Sequence, residues 1–229
     1  MAHAHTVFSD WQHINYKDAW DRQQKLLEEV QQRKFSLPEK KSDLHYFNLC
    51  EHPHVYTLGK SGKDNNLLVN NRQLKDLGAT FFHIDRGGDI TYHGPGQIVG
   101  YPIVDLDSFG MGVKQYVFSL EELIIRTIAE YGLHGERLDG ATGVWLDAQT
   151  PKARKICAIG VRVGHRVTMH GFAFNVNTDL HFFDYINPCG FTDKGVTSLQ
   201  KELGKQADIE EVKQHLKNHF ETIFETTLI

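Results

Sequence analysis

Between about Asn15 and Lys34, the apolar positions Tyr16, Ala19, Trp20, Leu27 and Val30 recur at helical spacing among charged residues, which predicts an amphipathic helix with one buried stripe. The polar stretch from Ser36 to Asp43, with Pro38 inside it, ends that helix. Leu44 to Cys50 and Val55 to Leu58 are rich in aromatic and branched residues and predict two short strands separated by His52-Pro53; Thr80 to Ile84 predicts a third. From Ile90 to Val104 the alternation is broken by glycine and proline, as expected of a strand interrupted by a tight turn or a functional loop. The helical period is clearest from Gln115 to Tyr131, on Val117, Leu120, Ile124, Ile128 and Tyr131, with Gly132 as the stop. Strands follow at about Gly143 to Leu146, Lys155 to Val163, Arg166 to Met169 and Phe172 to Val176, with Gly164-His165 as a turn. Asp208 caps a last amphipathic helix that runs to about Glu225 on Ile209, Val212, Leu216, Phe220 and Ile223. Strands in clusters with a few helices predict an α+β domain with a mixed, mainly antiparallel sheet flanked by helices.

The chain has 229 residues, enough for a single domain over 1–229 with a substantial core, and neither an internal repeat nor a linker interrupts it. The N-terminal residues lack a basic region followed by an apolar stretch, and no apolar run is long enough to cross a bilayer, so a soluble cytoplasmic protein is expected. A net charge of −4 argues against nucleic acid as the main partner. Three cysteines at irregular positions, Cys50, Cys157 and Cys189, suggest free thiols in a reducing compartment rather than a disulfide framework. The 14 histidines raise the question of a metal, but His3 and His5 fall in what reads as a loose terminus, His52 and His54 flank a proline, and neither His-Glu-x-x-His nor a paired Cys-x-x-Cys is present. No metal site is expected.

The least ordinary segment is Arg86-Gly-Gly-Asp-Ile-Thr-Tyr-His-Gly-Pro-Gly-Gln97. Its glycines permit positive φ and close approach of backbone to a ligand, and its polar side chains are too many for a simple turn or bulge. It is not a phosphate cradle, since neither Gly-x-x-x-x-Gly-Lys-Ser/Thr nor Gly-x-Gly-x-x-Gly can be read in it. Asn187-Pro-Cys-Gly190 places a thiol on a turn where it can be reached, whereas Cys50 ends an apolar strand and reads as a core residue. Cys157 is the rival: by strand alternation it shares a face with Lys155, so a site that receives one side chain receives the other nearby. A reactive thiol needs access and a cationic neighbour, which favours Cys189 while leaving Cys157 open. Lys155 reads either as a snorkelling lysine at a strand end or as the cation that favours the thiolate, with His93 and His170 as supporting groups.

At these residues the sequence resembles the lipoyl(octanoyl) transferase family. Four blocks in order carry the resemblance: Arg86-Gly-Gly-x-x-Thr-Tyr-His-Gly-Pro-Gly-Gln-x-Val-Gly-Tyr101, Lys155-Ile-Cys-Ala-Ile-Gly160, His170-Gly-Phe-Ala-Phe-Asn-Val176 and Asn187-Pro-Cys-Gly190. The resemblance implies a fold like the catalytic domain of biotin and lipoate ligases. It also implies transfer of an octanoyl group from octanoyl-acyl carrier protein to a lysine of lipoyl domains, namely those of 2-oxo-acid dehydrogenase complexes and the glycine-cleavage H protein, by a monomer that needs no cofactor. In this reading Cys189 carries the acyl thioester and Lys155 lowers its pKa. Arg86, Gly87, Gly88, Asp89, Ile90, Thr91, Tyr92, His93, Ala158, Ile159, Gly160, Gly171, Phe172 and Ala173 line the acyl and carrier-arm site. Two features depart from the pattern: Ala158 stands where many members have a small hydroxyl residue, and the segment from Phe191 to Lys205 matches no motif.

Amides of the glycine-rich loop, or those beside Ala158 and Gly171, are candidate oxyanion donors. Because both carriers are acidic in this family, a basic docking patch is expected around Lys152, Arg154, Arg162 and Arg166, with activity that weakens as salt rises. Two rivals remain at this level: an ATP-dependent lipoate or biotin ligase, which would form an adenylate without a catalytic cysteine, and a non-catalytic module that only holds an acyl arm.

Overall fold

The apolar stripe beginning at Tyr16 forms α1 (Tyr16–Ser36), whose buried face carries Ala19, Leu27 and Val30. A computed structural model of the chain describes residues 4–187 and 194–229. Its other α-helices are α2 (Asn71–Asp76), α3 (Val113–Ala129), α4 (Leu199–Leu203) and α5 (Ile209–Phe224). Asp208 caps α5 as its position predicts, accepting hydrogen bonds from the amides of Glu210 and Glu211. Among the described residues, no helix is long and apolar enough to cross a membrane.

The strands are β1 (Ala4–His13), β2 (Leu44–Glu51), β3 (Val55–Leu58), β4 (Thr80–His83), β5 (Ile90–His93), β6 (Gln97–Ile103), β7 (Val144–Leu146), β8 (Arg154–Gly164), β9 (Val167–Asn175), β10 (Gly195–Val196) and β11 (Thr226–Leu228). A large sheet runs β10-β8-β9-β6-β2-β1-β11, with β7 also on β8, and a small one runs β4-β3-β5. The large sheet is mixed: antiparallel ladders β2 to β6, β6 to β9 and β9 to β8 form its body, and parallel pairs sit at its margins.

Side-chain alternation gives this sheet two apolar faces. On one, Phe47, Ile98 and Phe174 meet Leu120, Ile124 and Ile128 of α3 and Val212, Leu216 and Phe220 of α5. On the other, Val99, Tyr101 and Ala173 meet Ala19 of α1, while Ile103, Val167 and Met169 meet its Leu27 and Val30. The small sheet has its own core, with Tyr56, Tyr92 and Ile90 packed against Leu74 and Ile186.

Three sequence expectations change here. The N-terminus, read as loose, contains β1, and His5 is paired with both Leu44 and Thr227. The two strands expected between Arg166 and Val176 are one, β9, which passes through His170 with φ +62. A third change concerns Cys157. On β7 the step from Val144 to Trp145 is one residue, yet their partners on β8 are Cys157 and Lys155, so β8 bulges at this point. The extra residue reverses the alternation. Ile156 and Cys157 are both buried in the core with α3 and α5, away from the face that Lys155 serves.

Candidate active site

Between the two sheets lies a cavity of about 400 Å³, within the ~300–1,000 Å³ usual for small-molecule sites. The residues anticipated from sequence converge on it from three elements. Arg86, Gly88, Asp89, Ile90, Thr91 and His93 enter from the glycine-rich loop and β5; Ala158, Ile159 and Gly160 from β8; and Gly171, Phe172 and Ala173 from β9. Lys155 also lines it. Gly87 and Tyr92 do not. The Gly87 amide donates to Val161 O at 3.0 Å, so it is engaged with β8 rather than open to an oxyanion. Tyr92 is buried in the small-sheet core, its ring stacked on Phe182 at 5.0 Å and its hydroxyl hydrogen-bonded to His54 at 2.7 Å.

Glycine is required where the loop meets the sheet. A Cβ on Gly160 would lie 2.9 Å from Gly87 O and 3.0 Å from Arg86 Cδ, so a side chain there would push the loop off the strand. The loop is fixed from its other side by amides of the turn after β3: Lys60 N donates to Arg86 O at 3.0 Å and Ser61 N to Gly88 O at 3.1 Å.

Beneath the cavity a chain of hydrogen bonds has a defined direction. Arg86 is buried and donates through Nη2 to Thr57 O at 2.8 Å and Thr57 Oγ1 at 3.0 Å. Thr57 Oγ1 stands 3.4 Å from His93 Nε2, and His93 Nδ1 is 2.9 Å from Gln97 Oε1. Gln97 Nε2 donates to Tyr92 O at 3.1 Å and Asn175 Oδ1 at 2.9 Å, and Asn175 Nδ2 donates to Thr197 O at 3.0 Å. Since Oε1 of Gln97 can only accept, the His93 proton sits on Nδ1, and Nε2 accepts from the Thr57 hydroxyl. Burial, with His52 adding to it, holds His93 well below the ordinary histidine range, so it stays neutral. The last link returns to the strand that carries the lysine: Thr197 N donates to Lys155 O at 2.9 Å.

Lys155 is positioned from three sides. Its Nζ donates to Thr142 O at 3.0 Å and lies 4.7 Å from the centroid of the Trp145 ring, while Val196 of β10 is its strand partner. Gly143, with φ +124, lies close against β8, where a Cβ would overlap Cys157 O. Cys189 lies outside the described residues. The other two thiols are fully buried, and burial pushes both well up: Cys50, with Asp10 and Glu51 adding to the shift, and Cys157, against the opposing effect of Lys155.

Sequence reasoning missed Tyr16, which reaches the cavity from the first residue of α1 and stacks on His93 at 5.8 Å, and Trp145 on β7. Nothing local in either segment marks a site. His170, kept from sequence as a supporting residue, lines the cavity and is hydrogen-bonded through Nε2 to Asp85 at 2.8 Å.

Of the four residues of the anticipated basic patch, Arg154, Arg162 and Arg166 are held in ion pairs. Arg154 is bonded to both carboxylate oxygens of Glu202 at 2.7 Å and paired with Asp147, Arg162 is paired with Asp85, and Arg166 with Asp107 at 2.7 Å. The carboxylates come from as far as 77 positions away in sequence, which a local charge count does not see.

The mixed sheet, with α3 and α5 on one face and α1 and a ligand-sized cavity on the other, has the fold of solved lipoate–protein ligases. The bipartite lipoate protein ligase of an archaeal lipoylation system from Thermoplasma acidophilum aligns with TM-score 0.73 over 99% of this chain and 86% of that one. At 14% identity, that likeness is one of fold. The profile of the Lipoyl protein ligase A/B catalytic domain matches residues 15–221. An octanoyltransferase of Bacteroides fragilis strain YCH46 is 58% identical over 214 residues, covering 92% of this chain and 94% of the relative. One of Christiangramia forsetii is 54% identical over 218 residues, 93% of each chain. The chain belongs to the lipoyl protein ligase A/B catalytic-domain family and, within it, to the octanoyltransferases, which makes it an acyltransferase.

Proposed function

We propose that the chain transfers an octanoyl group from octanoyl-acyl carrier protein to a lysine of lipoyl domains, those of 2-oxo-acid dehydrogenase complexes and the glycine-cleavage H protein, through a thioester on Cys189. It would do so as a cytoplasmic monomer without a nucleotide. The observation that carries this reading is the convergence of chain segments on one cavity. Phe183 and Lys194, which flank Cys189 in sequence, line the cavity that Lys155 lines, and so does Val196, the strand partner of Lys155.

The chemistry balances with these two residues. The Cys189 thiolate, favoured by the Lys155 ammonium, attacks the carbonyl carbon of the octanoyl thioester. The carbon–sulfur bond to the carrier breaks, and the departing thiolate takes a proton from Lys155. The acceptor's lysine amine then attacks the acyl-enzyme, passes a proton to the neutral Lys155 amine, and expels the Cys189 thiolate. Exchange between thioesters is nearly balanced and amide formation runs downhill, so no activating phosphate is required. Apolar walls from Ile90, Val99, Ile159 and Phe172 suit the alkyl tail. At about 0.8 kcal/mol per methylene, burying it supplies roughly 5 kcal/mol.

The test is a single-turnover assay with octanoyl-acyl carrier protein and a lipoyl domain, with no nucleotide present. Octanoylated lipoyl domain is expected from the wild type and none from Cys189→Ala. Transfer that requires ATP and survives Cys189→Ala would replace this reading with a ligase.

A further inference from the structure

The helical layer on the far side of the large sheet carries a second cluster of chemically capable side chains. His215 and His219 lie four residues apart on α5 and so share one of its faces. Glu130 comes from the C-terminal end of α3 and meets them there, with its Oε1 3.0 Å from His219 Nε2. The ligating atoms of these three residues all lie within 4.8 Å of one another. Glu211, one turn before His215 on the same stripe, places Oε1 3.9 Å from His215 Nε2. The Tyr131 ring stands edge-on to the His215 ring at 5.7 Å and limits its orientation. None of these residues lines the cavity between the sheets.

Several independent features of this cluster suit a cation. Two imidazoles and a carboxylate are the donor set of zinc sites that retain an open position, with bonds of ~2.0–2.2 Å. Closing the three donors onto one ion requires rotamer adjustments of about an ångström, and the side chains have room for them: they are 20%, 26% and 44% exposed at His219, His215 and Glu130. The end of α3 contributes the negative pole of its helix dipole, and the Glu211 carboxylate adds negative charge 3.9 Å from His215. The mixed nitrogen and oxygen set disfavours calcium and magnesium, which take oxygen ligands. No spacing motif announces the site, because Glu130 and His219 are 89 positions apart.

We propose that Glu130, His215 and His219 form a binding site for a divalent transition-metal ion of the zinc class, which clamps the end of α3 to the face of α5. Glu211 or water completes its coordination. The site is separate from the acyl-transfer chemistry and acts on the stability of the helical layer.

The test uses the full chain, stripped with a chelator and titrated with Zn²⁺ by calorimetry and with Co²⁺ by visible absorption. The wild type is expected to bind one Zn²⁺ per chain at this site, to show the d–d bands of tetrahedral or five-coordinate Co²⁺, and to melt roughly 5–10 °C higher at metal 100-fold above Kd. His215→Ala/His219→Ala should lose the bands and bind at least about 100-fold more weakly. Glu130→Gln, a conservative change at an exposed position, should bind about tenfold more weakly while its circular dichroism and metal-free melting stay those of the wild type. Equal affinity and bands in the wild type and the double variant would place any binding elsewhere, for instance at His3 and His5, and overturn the proposal. So would the absence of a melting shift in the wild type at millimolar Zn²⁺.

Discussion

Replacing Gln97 by Met keeps the length of the side chain and removes both ends of its amide. In the wild type that amide accepts from His93 Nδ1 and donates to Tyr92 O and Asn175 Oδ1. His93 and Asn175 are 6% and 3% exposed, so the substitution leaves His93 Nδ1–H and Asn175 Oδ1 buried without these partners. Each orphaned group costs about 1–3 kcal/mol, which gives a loss of roughly 2–6 kcal/mol. For a chain of this size that lowers Tm by on the order of 10 °C. Differential scanning calorimetry on the purified variant reads it directly. A second arm separates the network from simple overpacking: His93→Leu/Gln97→Leu removes both partners and should be destabilised by less than the sum of the single variants, by about 0.5–3 kcal/mol. Melting of Gln97→Met within a degree of the wild type, or strict additivity in the cycle, would refute the directed hydrogen-bond chain.

Gly171→Ala should lower Tm by several degrees. Its Cβ would overlap Gly100 O and sit 2.8 Å from Pro102 Cδ, about 0.7 Å inside a comfortable carbon contact of ~3.5 Å, against neighbours that cannot rotate away. Acid should unfold the protein early. Burial lowers His45 and His52 from 6.5 to about 4 in the fold, so each contributes stability that is complete above pH ~6.5 and lost as pH falls toward 4, roughly 3 kcal/mol apiece. Urea midpoints measured across that window should drop steeply, and His45→Phe should flatten the slope. Lys155→Met should move the pH midpoint of Cys189 alkylation upward toward ~8.5, because the ammonium that favours the thiolate is gone. Peptide mapping of the same reaction should find Cys50 and Cys157 unmodified in the native protein.

Periodicity made α1, α3 and α5 legible because each buries a single stripe, and it placed β2 to β4 through their aromatic and branched content. It missed β1 and β11. His5, Ser9, Asp10 and Gln12 dilute the apolar signal in β1, and its partners are strand β2 and the C-terminal residues Thr226 to Leu228, a pairing no local window contains. The glycine-rich loop, Lys155 and the β8 and β9 residues of the cavity were readable because their blocks form a distinctive pattern. Tyr16 and Trp145 were not, since an aromatic residue on an apolar stripe or a short strand carries no sign of what it faces. The bulge in β8 is the clearest limit. Strict alternation would turn Cys157 toward the cavity with Lys155, and one extra residue against β7 turns it into the core instead.

The central claim is that Cys189 holds the acyl group, and intact-mass spectrometry followed by peptide mapping tests it most directly. After brief incubation with octanoyl-acyl carrier protein and no acceptor, the wild type should carry one hydroxylamine-sensitive octanoyl group on the peptide containing Cys189, and Cys189→Ala should carry none. An unmodified wild-type chain under conditions where the acceptor becomes octanoylated, or an adduct located on another residue, would contradict it.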